Sequence, residues 1–421
     1  MPTDQVAELK DSRKPIITVA ERKVADIPRR LRRMLALDDF EAAARRHLPR
    51  PIFGYVSGAC ETGASFSDNR SAFGERSFVP RALLNVGNRS QSRSLLGVDY
   101  AYPFGICPMG LSALAAFDGD VVLARAANTA GIPAILSATS LTPLERVASE
   151  GGSRWFQAYL PGEGDRIDAM VDRVAAAGYD TFVLTVDVPV AGNRENNVRN
   201  GFDAPLRPSM RLAWQGATHP SWLFETAIRT LKRRGMPHFE NMDAGRGPPI
   251  LSRNLVRAIG KRDQLAWEHV DRIRRRWKGN LILKGILSVE DALLSREHGA
   301  DGIVVSNHGG RQLDGAVAPI RVLPGIADRV GGDLAVMLDS GVRRGTDILK
   351  ALALGARFVF VGRPFLFAAS AFGEEGVSHA IRLLADEVDR DMAILGIRTL
   401  DEISRGHLWD ATTSNEFQTP K

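Results

Sequence analysis

The sequence predicts an α/β protein: a (β/α)8 TIM barrel with an N-terminal helical extension and a long insertion after the fourth strand. Three observations carry this. Eight apolar, strand-like runs follow one another between Phe104 and Arg363. Helical patterns ending at glycine fill most of the gaps between them. Polar residues gather at the C-terminal ends of the runs, the rim on which barrels of this kind build their sites.

Taken in order, residues 1–36 read as a charged arm with a basic cluster, IPRRLRRML, and helical character only near its end. A helix is expected from Leu37 to Arg46, with Asp38 as N-cap and basic residues in its last turn. Pro49 and Pro51 are expected to stop it, and the short apolar segment IFGYVSGA runs on to Gly58. The barrel domain, 37–400, then contains strands at 104–108, 134–139, 154–160, 181–187, 280–286, 302–309, 334–341 and 358–363. Helical stretches such as GDVVLARAANTAG, DRIDAMVDRVAAAG, SVEDALLSREHG and GTDILKALALG each end on a glycine C-cap. One gap breaks the rhythm, a basic insertion at about 190–278 that reads as a lid or docking loop at the barrel mouth. Residues 401–421 form a C-terminal tail.

Composition narrows the function classes. With 44% apolar and 25% charged residues among 421, the chain has an ordinary globular balance. Its two cysteines, Cys60 and Cys107, are too few for a disulfide framework or a metal cage, and they read as plain buried thiols in a reducing compartment. No apolar run approaches the roughly 18 residues of a spanning helix, and the N-terminus lacks a secretory pattern. The expected location is the cytoplasm, with peripheral contact at the inner face of the cell membrane. Between Arg229 and Lys278 stand fourteen Lys or Arg against five Asp or Glu, interleaved with Trp222, Phe224, Phe239 and Trp277 nearby. Such a surface suits anionic lipid. Nucleic acid is not the expected partner.

The chemistry concentrates at IVVSNHGGRQLDG, residues 303–315. A buried strand there ends in Ser306, His308 and Arg311, a near-neutral base three residues from a guanidinium that grips carboxylates. Gly309 and Gly310 allow a tight turn, or close passage of a flat ligand. Other strand ends carry Ser137, Gln157, Tyr159, Thr185, Asp187, Lys284, Asp339 and Arg363. DSGVRRGTD, with Gly341 and Arg343, and the later pair Gly362 and Arg363 read as phosphate-binding turns after strands seven and eight. No GxGxxG follows an early strand, so a mononucleotide such as FMN fits better than a dinucleotide. Lys284 would then stabilise negative charge on a reduced flavin.

SNHGGRQLDG, LTVD, WFQAY, LKGI and DSGVRRGTD, in their respective places, resemble the FMN-dependent (S)-2-hydroxy acid dehydrogenase and oxidase family, which includes L-lactate and mandelate dehydrogenases and glycolate oxidase. The resemblance runs from about Leu37 to Ile397. It implies that His308 is the base, that Asp187 stabilises its imidazolium, that Arg311 and Arg194 clamp the substrate carboxylate, and that Tyr159 bonds the reacting oxygen. It implies an FMN site made by Pro108, Met109 and Gly110, by Ser137, Gln157, Thr185, Lys284 and Ser306 around the ring, and by Asp339, Gly341, Arg343, Gly362 and Arg363 at the ribityl chain and phosphate. No metal is expected. The family's usual substrate tyrosine falls at Gly54, with Tyr55 next to it, so either Tyr55 substitutes through a local shift or the contact is lost. The resemblance implies L-lactate or a bulkier relative such as mandelate as substrate, and that departure, with Thr139 in place of a bulkier residue, points to a side chain larger than that of lactate. The resemblance further implies a quinone-type acceptor and a tetramer. Two alternatives stay open: an oxygen-dependent oxidase producing hydrogen peroxide, and a degenerate flavin-binding barrel acting through a partner.

Overall fold

Strand–helix alternation closes into a barrel in the computed structural model, which describes residues 27–150, 154–202, 209–252 and 261–410. The chain divides into two compact units, Met1–Arg33 and Met34–Lys421. Of the first, residues 27–33 are described and form turns. The rest of the N-terminal arm and the end of the C-terminal tail lie outside the described residues.

Helix α1 spans Leu37–His47 and ends, as expected, in Arg45, Arg46 and His47. Its cap is not Asp38. The cap residue is Ala36, and the Asp39 carboxylate accepts from the amides of Leu35 and Ala36 at 2.8 and 3.0 Å. The third helical position reaches back over exposed amides and satisfies two of them at once, which a residue already inside the helix at position 38 cannot do. Asp38 instead bonds Arg70. The helix does end ahead of Pro49, as expected, whereas Pro51 lies in the first turn of helix α2, Arg50–Ser57, where its missing N–H costs nothing.

Eight barrel strands follow: β1 Phe104–Ile106, β2 Ile135–Ser137, β3 Trp155–Ala158, β4 Thr181–Thr185, β5 Asn280–Ile286, β6 Gly302–Val305, β7 Ala335–Leu338 and β8 Phe358–Val361. Each pairs in parallel with its sequence neighbours, β8 pairs with β1, and a parallel bridge from Ile106 to Ala134 joins β1 to β2. The four glycines predicted as helix caps, Gly131, Gly178, Gly299 and Gly355, all have φ between 67° and 108°. That left-handed conformation ends a helix and turns the chain toward the next strand.

The two-residue period of a strand then builds the site. Ile135, Trp155, Val183, Ile282, Val304 and Met337 pack together in one buried apolar cluster. Two residues further along each of those strands stand Ser137, Gln157, Thr185, Lys284, Ser306 and Asp339, all buried. The barrel is apolar low down and polar at its C-terminal mouth.

The insertion between β4 and β5 contains helices Glu195–Asn200, Met210–Ala217 and Trp267–Arg276 and a helical run from Pro220 to Arg234. It departs from the sequence reading in two ways. Phe239 and Trp277 are buried, so neither can face lipid, whereas Trp214 is 68% exposed. Much of the positive charge is also neutralised locally: Arg272 pairs with Asp168, Arg274 with Asp301, Arg276 with Asp172, Arg234 with Asp118 and Arg246 with Glu240. Sequence counting sees the cations of one segment and misses acidic partners on distant ones.

Candidate active site

The mouth of the barrel encloses a cavity of about 370 Å³, within the range of small-molecule sites. Its wall includes Tyr55, the turn Pro108–Gly110, Tyr159, Thr185, Arg194, Lys284, His308, Arg311, Asp339, Gly341, Arg343, Gly362 and Arg363. Of the other residues singled out from sequence, Ser137, Gln157 and Ser306 lie in the buried polar layer of the barrel, and Asp187 stands behind His308.

His308 is held at φ 59°, and the two glycines after it have φ 65° and 72°. Three consecutive left-handed residues make the sharp turn that presents the imidazole. The turn is pinned from several sides: Ser306 Oγ accepts from the His308 amide at 3.0 Å, Ser340 Oγ from Gly309 at 3.0 Å, and Asn307 Oδ1 from Gly310 at 3.2 Å. Nδ1 of His308 lies 3.1 and 3.2 Å from the two Asp187 oxygens. A carboxylate there can only accept, so Nδ1 carries the proton and Nε2 is left with a lone pair. Gly285 makes this pairing possible, since a Cβ on it would sit 2.6 Å from the Asp187 side chain.

Electrostatics favour a neutral base. Burial holds the His308 pKa below its ordinary value, and the opposing pull of Asp187 does not restore it. Tyr159 places its hydroxyl 3.3 Å from His308 Nε2, and burial, with Asp187 adding to it, pushes that phenol up to about 12, so it remains a donor.

Two guanidiniums face the same space. Arg311 donates to the carbonyls of Tyr55 and Gly58 at 2.9 and 2.8 Å, and Arg194 to Gln312 Oε1 at 2.8 Å and the Arg311 carbonyl at 3.1 Å. Burial and the neighbouring Arg194 lower Arg311 to about 10, which leaves it charged at neutral pH. Arg363 is depressed too, first by burial and then by Arg311, Arg343 and Arg194. Four guanidiniums lie near one another, and among the described residues the only carboxylate lining the cavity is Asp339, which is already paired. An enclosed region of that sign calls for anions.

Lys284 Nζ lies 2.8 Å from both Asp339 Oδ2 and Ser306 Oγ. Burial opposes charge on this pair, but mutual attraction outweighs it, raising the lysine pKa and lowering that of Asp339. Cys107 donates its thiol to the same carboxylate at 3.2 Å, and burial pushes its pKa well up, so it is an un-ionised thiol as expected. The helix start after β7 is partly spoken for: the amides of Arg343 and Arg344 donate to Asp347, and that of Gly345 to Glu387. An anion there meets the Gly341 turn and the arginine side chains rather than those amides.

Buried atoms without partners test whether a flavin fits. Among the described residues, Gln157 Nε2 and Thr185 Oγ1, on adjacent strands of the polar layer, lack any hydrogen-bond partner. Each such atom costs about 1–3 kcal/mol unless something satisfies it. A flat heterocycle with donors and acceptors along its edge would do so, and Lys284 stands in the same layer. Gly110 leaves room for close approach, because a Cβ there would lie 2.1 Å from Thr139 Oγ1.

The Gly54 question has a geometric answer. A Cβ at Gly54 would fall 2.6 Å from the Asn200 side chain, so position 54 packs against the insertion. Tyr55 lines the cavity, stacked on Phe202 with ring centroids 4.5 Å apart and with the Arg311 guanidinium 5.1 Å from its ring. Helix α2 thus turns Tyr55, and not position 54, toward the cavity. Residues that the sequence does not single out for the site also line the cavity: Phe202, Met242 and Arg262, as well as Phe239, which sequence pattern alone places on the lipid-facing surface. All four come from the insertion, and no local pattern there separates cavity-facing from solvent-facing positions.

Comparison with known proteins places this geometry. Residues 44–410 match the FMN-dependent dehydrogenase family. An L-lactate dehydrogenase of Stenotrophomonas maltophilia is 38% identical over 377 residues, 89% of this chain and 98% of that protein. A putative L-lactate dehydrogenase of Mycobacterium tuberculosis is 38% identical over 385 residues, 90% of each. Among solved structures, the monotopic membrane protein (S)-mandelate dehydrogenase superposes with a TM-score of 0.83 at 35% identity, covering 90% of this chain and all of that one. A mandelate oxidase gives 0.74 at 35% identity, covering 89% and 98%.

Proposed function

The chain belongs to the FMN-dependent dehydrogenase family, and from that premise we propose that it oxidises an (S)-2-hydroxy acid with a side chain larger than that of lactate to the 2-oxo acid, passing the electrons to a quinone-type acceptor. Bound FMN supplies the two-electron acceptor for the oxidation. Gln157, Thr185, Lys284, Ser137, Ser306 and the Pro108–Gly110 turn would hold its ring, and Asp339, Gly341, Arg343, Gly362 and Arg363 its ribityl chain and phosphate. Arg311 and Arg194 bind the substrate carboxylate. Nε2 of His308 takes the proton that the substrate gives up, and Asp187 stabilises the imidazolium through Nδ1–H. Tyr159 and Tyr55 orient the substrate by their hydroxyls.

The observation that carries this reading is the unprotonated Nε2 of His308, beside the Tyr159 hydroxyl, on the wall of a cavity shared with the Arg311 and Arg194 guanidiniums. Room for a larger side chain comes from Leu111, Phe202, Phe239 and Met242, which pack in one apolar cluster. The test is anaerobic mixing of the yellow protein with (S)-2-hydroxy acids, read as loss of flavin absorbance.

Among the described residues no helix is long and apolar enough to cross a membrane. Met210, Trp214, Phe224 and Leu231 are nonetheless exposed on the segment that carries Lys232 and Arg233. That combination suits insertion at the surface of an anionic bilayer, where a quinone is reached. Likeness to a mandelate oxidase favours a second reading, with oxygen as acceptor, which stoichiometric hydrogen peroxide in aerated turnover would reveal.

A further inference from the structure

Arg262 differs from the other cations of the cavity. Lys284 bonds Asp339 and Ser306, Arg194 bonds Gln312, Arg311 and Arg363 bond backbone carbonyls, and Arg343 bonds the Val342 carbonyl. The Arg262 guanidinium lines the same cavity, 4.7 Å from the centroid of the Tyr159 ring, and among the described residues no oxygen accepts a hydrogen bond from it. Burial pushes its pKa down. A half-buried guanidinium beside a ring face keeps its donors available for an anion in the cavity.

The chain goes to some length to put it there. Gly162, just beyond β3, donates its amide to the Lys261 carbonyl at 2.8 Å, and a Cβ on Gly162 would collide with the Gln264 backbone at 2.6 Å. The Lys261 ammonium pairs with Glu163, and Lys261 itself adopts a left-handed φ of 65°. These contacts clamp residues 261–264 to the barrel rim beside Tyr159, so the cation is positioned before any ligand arrives.

Arg262 is not a third member of the carboxylate clamp. Arg194 lies close enough to lower the pKa of Arg311, whereas the cation that acts on Arg262 is Arg166, which is already engaged by Glu163 and Asp243. We propose that Arg262 binds a second anionic group on the substrate, which makes the preferred substrate class a 2-hydroxy dicarboxylic acid. The proposal rests on the oxidation of 2-hydroxy acids put forward above. The α-carboxylate goes to Arg311 and Arg194, the intervening methylenes pack on the apolar wall, and the distal carboxylate meets the Arg262 fork. A guanidinium holds a carboxylate through two parallel bonds, a geometry that an ammonium does not reproduce.

The experiment uses the FMN-loaded enzyme and two isosteric substrates, (S)-2-hydroxyglutarate and (S)-2-hydroxypentanoate, with anaerobic flavin bleaching at subsaturating concentration as the readout. The wild-type enzyme is expected to prefer the diacid by about 10- to 100-fold. Arg262→Met should collapse that ratio, and Arg262→Lys should restore part of it. A readout without turnover is titration with glutarate against pentanoate, followed by the flavin difference spectrum; tighter glutarate binding that disappears in Arg262→Met supports the proposal. Preference of the wild type for the monoacid, or a ratio unchanged by Arg262→Met, overturns it while leaving 2-hydroxy acid oxidation intact. Failure of every 2-hydroxy acid to bleach the flavin overturns the oxidation reading and this proposal together.

Discussion

Nδ1 of His308 lies 3.1 Å from Oδ1 of Asp187, although the two residues are 121 positions apart in the chain. Strands β4 and β6 bring them to one rim, and the absence of a side chain at Gly285 on β5 lets them meet. Burial lowers the imidazole pKa and Asp187 raises it, with burial prevailing. The imidazole is therefore neutral at pH 7, and if it is the proposed base, activity should be lost as acid protonates it.

From this, kcat/KM should be flat through neutrality and fall on the acid side at a pH below the ordinary imidazole value of about 6.5. Asp187→Asn removes the group that raises the pKa and also the partner of the imidazolium. Its acid limb should move to lower pH while kcat drops by roughly 100-fold or more. An acid limb that moves upward would show that Asp187 does not act on His308 in this way. The pH–rate profile of the two proteins decides it.

Thr185→Val probes the flavin-shaped gap in the hydrogen bonding. The hydroxyl has no partner among the described residues, so replacing it with a near-isosteric methyl should leave the flavin-free protein as stable as before. FMN affinity should fall by about tenfold, measured by fluorescence as flavin is released. Loss of stability with unchanged FMN affinity would mean that the hydroxyl serves the fold instead.

Much of this site is legible in the sequence because strands impose a period of two. Once β3 to β7 are located, Gln157, Thr185, Lys284, Ser306 and Asp339 follow as the inward residues nearest the C-terminal mouth. The turn at His308–Gly310 is equally readable, since consecutive glycines license its positive φ angles. The cap of α1 is not legible, because Asp38 and Asp39 are adjacent and only backbone geometry selects the second. The insertion hid most. Arg262, Phe202 and Met242 reach the cavity through long-range packing, and Phe239 and Trp277 turn inward, with no local period to signal either.

Gly341 offers a stability test at the turn after β7. Its φ is 90°, and a Cβ there would stand 2.0 Å from the Asn69 carbonyl oxygen. Gly341→Ala should cost about 3 kcal/mol or more. Gly74→Ala, where an added methyl meets nothing within 4 Å, should change stability by less than about 1 kcal/mol. Urea unfolding midpoints of the two variants compare them directly, and equal midpoints would contradict the steric argument.

The proposed membrane contact can be tested apart from catalysis. Replacing Trp214 and Phe224 by serine removes exposed apolar area far from His308 in the chain without touching a cavity-lining residue. Co-sedimentation with anionic vesicles should fall by about tenfold or more. Unchanged sedimentation would exclude this face as the anchor.

The most direct measurement mixes the FMN-loaded enzyme anaerobically with a panel of (S)-2-hydroxy acids and follows flavin absorbance, with His308→Ala alongside. The wild-type protein should bleach with at least one acid, and His308→Ala should stay yellow on the same timescale while retaining its flavin. Bleaching of His308→Ala at the wild-type rate would show that the imidazole at the barrel mouth does not take the substrate's proton.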